Sequence, residues 1–284
     1  MRHFLSRLYL RLERLVRTRQ AYRFVIRQWK ELSDLDVASQ VVSTMRFSQN
    51  LQPVELSDIP GQRLFVFAPH PDDEVIGPGG ALIKSLARGA SVQVLYLTSG
   101  KYDEIEVREQ EAIKVGKKLG FTWEFLRFSP NEIPMERDFL DQIADQLNEF
   151  SPDVILIPFV LDDHPDHRRA SEALYRLWLH GEIRDSVPVW AYQVYTPLIT
   201  NVIVDITEVA TQKSEAISLY QSQMRSRNWA HFALGLNAFN SRFLSGRSDA
   251  SYAECFFQLP MIEYAEICKI YFNEEHNPDY YSQA

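Results

Sequence analysis

Apolar positions along this chain fall into two alternating rhythms. Short runs rich in β-branched and aromatic side chains read as strands: Leu64–Ala68, Ser91–Leu97, Trp123–Phe128, Val154–Pro158, Val189–Val194 and Val202–Asp205. Between them, apolar residues recur at three- and four-residue spacing. Those segments read as helices over 81–88, 104–119, 136–150, 168–179 and 208–223. Gly89 and Gly120 stop two of them. Strand and helix in alternation predict an α/β fold, a mostly parallel sheet with helices on both faces. In such sheets ligands bind beyond the carboxyl ends of the strands.

The N-terminus follows a different pattern. Leu5, Leu8, Leu12, Leu15, Val16, Tyr22, Ile26 and Trp29 recur at roughly helical spacing, with arginines between them. Residues 1–32 therefore read as a basic amphipathic helix. Residues 33–62 are polar and irregular, with Pro53 and Pro60-Gly61, and read as a connecting segment. The α/β unit is expected over 63–260. Residues 261–284 are expected as a tail packed on it or trailing from it.

Charge sharpens this division. Residues 1–30 carry nine Arg/Lys against one acid, Glu13, in a chain of net charge −8. The leader is thus +8 and the remainder −16. A nucleic-acid-binding body is excluded by that sign. The leader either packs on the acidic body or lies on an anionic membrane surface. There is no run of about 18 apolar residues to span a bilayer. Recurrent arginines also interrupt any signal-peptide core. The expected location is cytoplasmic, with residues 1–32 available for peripheral contact at the inner membrane surface. Cys255 and Cys268 form no CxxC motif and suit a reducing compartment.

The chemistry concentrates in two stretches, His70-Pro71-Asp72-Asp73-Glu74 and His164-Pro165-Asp166-His167. Three of the seven histidines lie there, each flanked by carboxylates. Two imidazoles and one carboxylate make the ligand set of a catalytic zinc with an open position. Each stretch directly follows a predicted strand, so both belong at one edge of one sheet. Spacing alone does not say whether Asp72 or Asp73 is the ligand. Fe(II) tolerates the same donors as Zn2+.

These paired motifs resemble the PIG-L family of deacetylases, also called LmbE-like. The first signature is Ala68-Pro69 followed by His70 to Glu74; the second is His164 to His167. Gly79-Gly80, Thr98-x-Gly100, Arg108-x-x-Glu111, Asp205-Ile206-Thr207, Lys213 and Tyr220-x-Ser222-Gln223 extend the resemblance over roughly residues 62–257. Pro69 departs from the small residue that many relatives have before the histidine. The resemblance implies a Rossmann-like fold, with His70, Asp73 and His167 as zinc ligands and Asp72 as general base. It also implies that His164 stabilises the oxyanion, Asp166 orients His164, and Arg108 contacts substrate. The implied substrate is an N-acetylglucosamine-type amino sugar, in a glycoconjugate or glycolipid.

The remaining residues carry blander readings. Glu74 reads as a support for the site or a helix-start carboxylate. Asp162 and Asp163 read as exposed loop charges. Gly77-Pro78-Gly79-Gly80 is not GxGxxG and reads as close backbone packing. Tyr192, Tyr195, Arg225 and Trp229 are candidates to line a sugar site. Two other functions fit the residues: an amidase for a non-sugar N-acyl compound, and a non-catalytic glycan- or membrane-binding relative.

Overall fold

A computed structural model describes residue 40 and residues 53–272, apart from 102, 197, 199, 247 and 248. The leader over 1–32 lies outside the described residues. So do most of the segment before residue 53 and the chain after 272.

Eight strands form one sheet: β1 (Val54–Leu56), β2 (Arg63–Ala68), β3 (Ser91–Thr98), β4 (Thr122–Phe128), β5 (Val154–Pro158), β6 (Pro188–Tyr192), β7 (Val202–Asp205) and β8 (Ala253–Pro260). Their order is β1-β7-β8-β6-β5-β2-β3-β4. All paired neighbours are parallel except at β8, which runs antiparallel to both β6 and β7. The chain builds β2, β3 and β4 outward, then returns to lay β5 on the other side of β2. That reversal is the switch point at which α/β sheets open a crevice for ligands.

The helices are α1 (Asp73–Ile76), α2 (Gly79–Ala87), α3 (Ile105–Leu119), α4 (Arg137–Phe150), α5 (Pro165–Leu179), α6 (Ala210–Ser218), α7 (Gln221–Met224), α8 (Trp229–Asn240) and α9 (Met261–Tyr271). Strand alternation divides the core in two. Phe65, Phe67, Leu95, Leu97, Ile155 and Ile157 face one layer, covered by α4, α5 and α9. Leu64, Val66, Val94, Tyr96, Val154 and Leu156 face the other, with α2, α3 and α6. Strands buried on both faces read as continuous apolar runs, and β5, Val-Ile-Leu-Ile-Pro, is wholly buried. In α4 the buried positions Phe139, Leu140, Ile143, Ala144 and Leu147 follow the helical period.

The structure refines the sequence expectation at several places. The segment read as a connection holds β1, which pairs with β7 at the sheet edge. The segment read as packed on the unit or trailing from it begins with α9, and its described part is packed, with Met261, Tyr264, Ile267 and Tyr271 buried in the core. The helix read over 208–223 is broken into a 3-10 turn, α6 and α7.

One buried ion pair locks the turn that follows the first motif. Lys213 is fully buried, and its Nζ donates to Glu254 Oε1 at 2.6 Å and to Gly77 O at 3.0 Å. Glu254 also accepts from the backbone N–H groups of Gly80 (2.7 Å) and Ala81 (2.8 Å), at the start of α2. Its carboxylate thus meets donors that the helix itself leaves unpaired. At Gly80 a Cβ would meet Ile206 at 2.7 Å, so the glycine lets Ile206 pack against the start of α2. Removing one partner of a buried pair leaves the other charge uncompensated. Lys213→Met should therefore lower unfolding free energy by about 3–5 kcal/mol in urea titration. A change under about 1 kcal/mol would mean that the backbone donors alone satisfy Glu254.

Candidate metal centre

The two motifs meet where β2 and β5 end. Thr98, at the end of β3, donates its Oγ1–H (2.8 Å) and N–H (3.0 Å) to Pro69 O and fixes the exit from β2. After β5 the chain turns into α5, with His164 as its N-cap and Pro165 in the first turn.

Three donor atoms converge. His70 Nδ1 lies 3.2 Å from Asp73 Oδ2, His167 Nε2 lies 3.2 Å from the same oxygen, and the two nitrogens are 3.4 Å apart. A tetrahedral zinc with bonds of about 2.0–2.1 Å has ligand atoms about 3.3 Å from one another. The triangle therefore matches one face of such a site. Asp73 Oδ1 is buried with no hydrogen-bond partner among the described residues. His164 also offers a nitrogen within 4.8 Å of the other two imidazoles. The cluster thus has the make-up of a metal centre.

The far nitrogen of each converging imidazole is held by a carboxylate. His70 Nε2 lies 2.9 Å from Asp166 Oδ2, and His167 Nδ1 lies 2.9 Å from Asp162 Oδ1. Such pairing fixes ring orientation and tautomer and strengthens the donor nitrogen. It also governs the protons of the metal-free protein. Burial alone would lower the pKa of His70, but bonds to Asp166 and Asp73 raise it to about 9. His167 is raised to about 10 against the same burial, by Asp73 and Asp162. Burial pushes the Asp73 carboxyl upward, yet both imidazolium groups bring it well below the usual carboxylate range.

Asp162 and Asp163 are therefore not exposed loop charges: they are 1% and 4% exposed. Besides its ion pair with His167, Asp162 accepts from the N–H groups of His164 (3.0 Å) and Tyr195 (3.1 Å). The available signal was an acid after a buried strand, five residues before a candidate ligand histidine.

Asp166 is placed differently from the sequence expectation. Its carboxylate grips His70 and accepts from Asn131 N–H at 3.0 Å, while His164 Nδ1 is 3.9 Å from its Oδ2. What fixes His164 is the backbone, because Asp166 N–H donates to His164 Nδ1 at 3.1 Å. That bond occupies Nδ1 as an acceptor and leaves the proton of the neutral ring on Nε2. Burial, then the charges of His70 and His167, lower the His164 pKa to about 3.

Asp72 has φ 123° and ψ −25°, a conformation costly for a residue with a Cβ. Glu74 holds it there: Glu74 Oε2 accepts Asp72 N–H at 3.0 Å, and Glu74 Oε1 accepts the Tyr220 hydroxyl. Burial, with Asp72 nearby, raises the Glu74 pKa to about 8. Burial raises Asp72 to about 7, a shift reinforced by Asp73 and opposed by Arg108. Arg108 is buried on α3, donates to Pro71 O at 2.9 Å and stands 3.8 Å from Asp72 Oδ1. Gly100, at φ 91°, leaves room for it, since a Cβ there would lie 2.6 Å from Arg108 Cδ. Glu111 accepts from Ser222 N–H and Oγ–H at 2.9 and 2.6 Å, tying α3 to α7.

The aromatic candidates separate. Tyr192 is fully buried in β6 and donates to Phe67 O at 2.6 Å, so it lines no open site. Tyr195 stacks on His167, with centroids 5.4 Å apart and planes at 21°. Trp229 stands edge-on to Tyr195 at 5.8 Å. Arg225 caps the C-terminal end of α7 and is exposed.

Comparison with known proteins agrees with this corner. Residues 65–178 match the family model described as PIG-L, GlcNAc-PI de-N-acetylase. The PIG-L match runs from within β2 to the end of α5 and contains both motifs. A diacetylchitobiose deacetylase of Thermococcus kodakarensis is 27% identical over 227 residues, covering 71% of this chain and 83% of the relative. The solved N,N'-diacetylchitobiose deacetylase of Pyrococcus horikoshii superposes with TM-score 0.61 at 25% identity, covering 72% of this chain and 86% of that one. A conserved protein of Thermus thermophilus, TT1542, gives TM-score 0.60 at 26% identity, covering 69% and 93%.

The support of His167 by Asp162 can be tested directly. Asp162→Ala should weaken Zn2+ binding roughly 10–100-fold in competition with a chromophoric chelator. Unchanged affinity would mean that His167 is oriented by packing against Tyr195 alone.

Proposed function

We propose that this protein is a zinc-dependent hydrolase that removes the N-acetyl group from an N-acetylglucosamine-type amino sugar, in a glycoconjugate or glycolipid. The observation that carries this reading is the His70–Asp73–His167 donor triangle with Asp72 and His164 beside it, inside a PIG-L domain. One curated relative and one solved structure similar to this chain are diacetylchitobiose deacetylases.

In this reading His70 Nδ1, Asp73 Oδ2 and His167 Nε2 hold the cation. When bound, zinc supplies Lewis acidity, which polarises an acyl oxygen and acidifies water. Asp72 is the general base. Its carboxylate takes a proton from the attacking water, whose oxygen bonds to the acyl carbon. His164 donates its Nε2–H to the acyl oxygen as negative charge builds there. A neutral imidazole suffices, because the Asp166 amide has already fixed the tautomer. The C–N bond then breaks, and the leaving nitrogen takes the proton held by Asp72. Acetate and a free amine result. Arg108 steadies Asp72 from behind, and its small accessible part provides the substrate contact that the resemblance implies.

The catalytic unit in this reading spans 63–260, with α9 completing its core. Among the described residues no helix is long and apolar enough to cross a membrane. We assign residues 1–32 to peripheral contact with an anionic membrane surface on the cytoplasmic side, on the strength of their charge and apolar spacing.

Amine release from N-acetylglucosamine conjugates, alongside non-sugar N-acetyl amines, tests the activity. Asp72→Asn should keep stoichiometric zinc and lose at least about 100-fold in kcat, the range of a missing general base. Metal bound by both proteins with no sugar cleaved by either would place the substrate outside the amino sugars.

A further inference from the structure

Helix α8 presents an unusual outer face. Its sequence, Trp229–Asn240, contains no Asp, Glu, Lys or Arg. Ala230, Ala233, Asn237 and Asn240 are turned inward and buried. Phe232 and Phe239 point outward, 51% and 61% exposed, with half-buried Leu236 between them. The spacing i, i+4, i+7 puts these three on one stripe. A solvated helix face would carry charge there.

Arginines stand at both ends of the stripe. Arg227 lies over Trp229 and Phe232, with its guanidinium carbon 5.4 and 4.9 Å from the ring centroids. Arg242 lies over Phe239 and Phe243 at 3.8 and 4.1 Å. Residues 216–248 contain four arginines and no acid, in a chain of net charge −8. An aromatic stripe edged by cations, on an otherwise acidic body, is complementary to a surface with an apolar interior and anionic headgroups. The leader is a poor cover for it, because it is itself strongly basic. The stripe also adjoins the metal centre, since Trp229 begins α8 and meets Tyr195, which stacks on His167.

We propose that α8 is a lipid-contacting face that seats the protein on an anionic membrane, with Phe232, Leu236 and Phe239 entering the interface and Arg227 and Arg242 pairing with headgroup phosphates. Seated this way, the metal centre opens beside the membrane surface. The glycolipid substrate that this implies rests on the deacetylase reading above; the membrane contact does not.

Flotation of the full chain with vesicles of equimolar phosphatidylglycerol and phosphatidylcholine, against phosphatidylcholine alone, tests the proposal. Three full-length variants are compared with wild type: Phe232→Ser with Phe239→Ser, Arg242→Glu, and a leader variant with Arg11, Arg14 and Arg17 changed to Glu. Wild type should float with the anionic vesicles. The phenylalanine pair should lose on the order of tenfold in partition. Arg242→Glu should lose roughly fivefold or more. Melting temperature and cleavage of soluble N,N'-diacetylchitobiose should be unchanged in all three. If the α8 variants float like wild type and only the leader variant fails, the leader alone contacts lipid and the proposal falls. It also falls if light scattering shows wild type as an oligomer that the phenylalanine pair dissociates, because the stripe is then an interface between copies. Loss of flotation in the α8 variants, with no sugar cleaved by any protein, would uphold the membrane face while removing the deacetylase reading.

Discussion

Carboxylate crowding at the end of β2 and β5 is the constraint on which this structure turns. Asp72, Asp73, Glu74, Asp162 and Asp166 are all buried in one corner. Buried ionised carboxylates are costly unless paired and hydrogen-bonded. Each is given partners. His70 and His167 lie between carboxylates, Asn131 donates to Asp166, and Tyr220 with the Asp72 amide donates to Glu74. Asp72 and Glu74, the members without an imidazole bond, have pKa values near or above neutrality. Such an arrangement accommodates a divalent cation well, because a cation exchanges with protons that the carboxylates already hold in place.

The sheet topology is what brings the groups together. β2 and β5 are neighbours only because the chain reverses direction after β4. Their motifs are about 90 residues apart in sequence, yet His70 Nδ1 and His167 Nε2 are 3.4 Å apart. The rest of the fold braces that corner. Lys213 and Glu254 fix the turn after α1, and Glu111 with Ser222 ties α3 to α7. Tyr220 reaches from the end of α6 to Glu74, and so indirectly to the strained backbone of Asp72.

Much of this was legible in the chain. The apolar runs of β2, β3 and β5 are buried on both faces and leave a period-independent signal, and the motifs at their ends marked the site. What escaped had physical reasons. β8 reads Ala-Glu-Cys-Phe-Phe-Gln-Leu-Pro, and its glutamate serves an ion pair rather than solvent. α9 was obscured because it is apolar on several sides, as a helix docked in a core is. α8 lacks the polar face by which an amphipathic helix is recognised. Asp162 reads as a loop charge in sequence because its partner is set by the turn into α5, not by sequence distance. Asp166 is alternate in sequence with His164 but faces His70 instead, since it lies in the first turn of α5.

The most direct test of the metal centre is calorimetric titration of Zn2+ into chelator-treated protein at pH 7, repeated in buffers of different ionisation enthalpy. With His70 and His167 both protonated in the metal-free state, at pKa values of about 9 and about 10, one equivalent of Zn2+ should bind. Binding should release about two protons, one from each imidazolium, as the donor nitrogens must be bare to coordinate. His167→Ala should abolish the tight event. Zinc that binds without proton release, or as tightly to His167→Ala as to wild type, would contradict a site built from His70, Asp73 and His167.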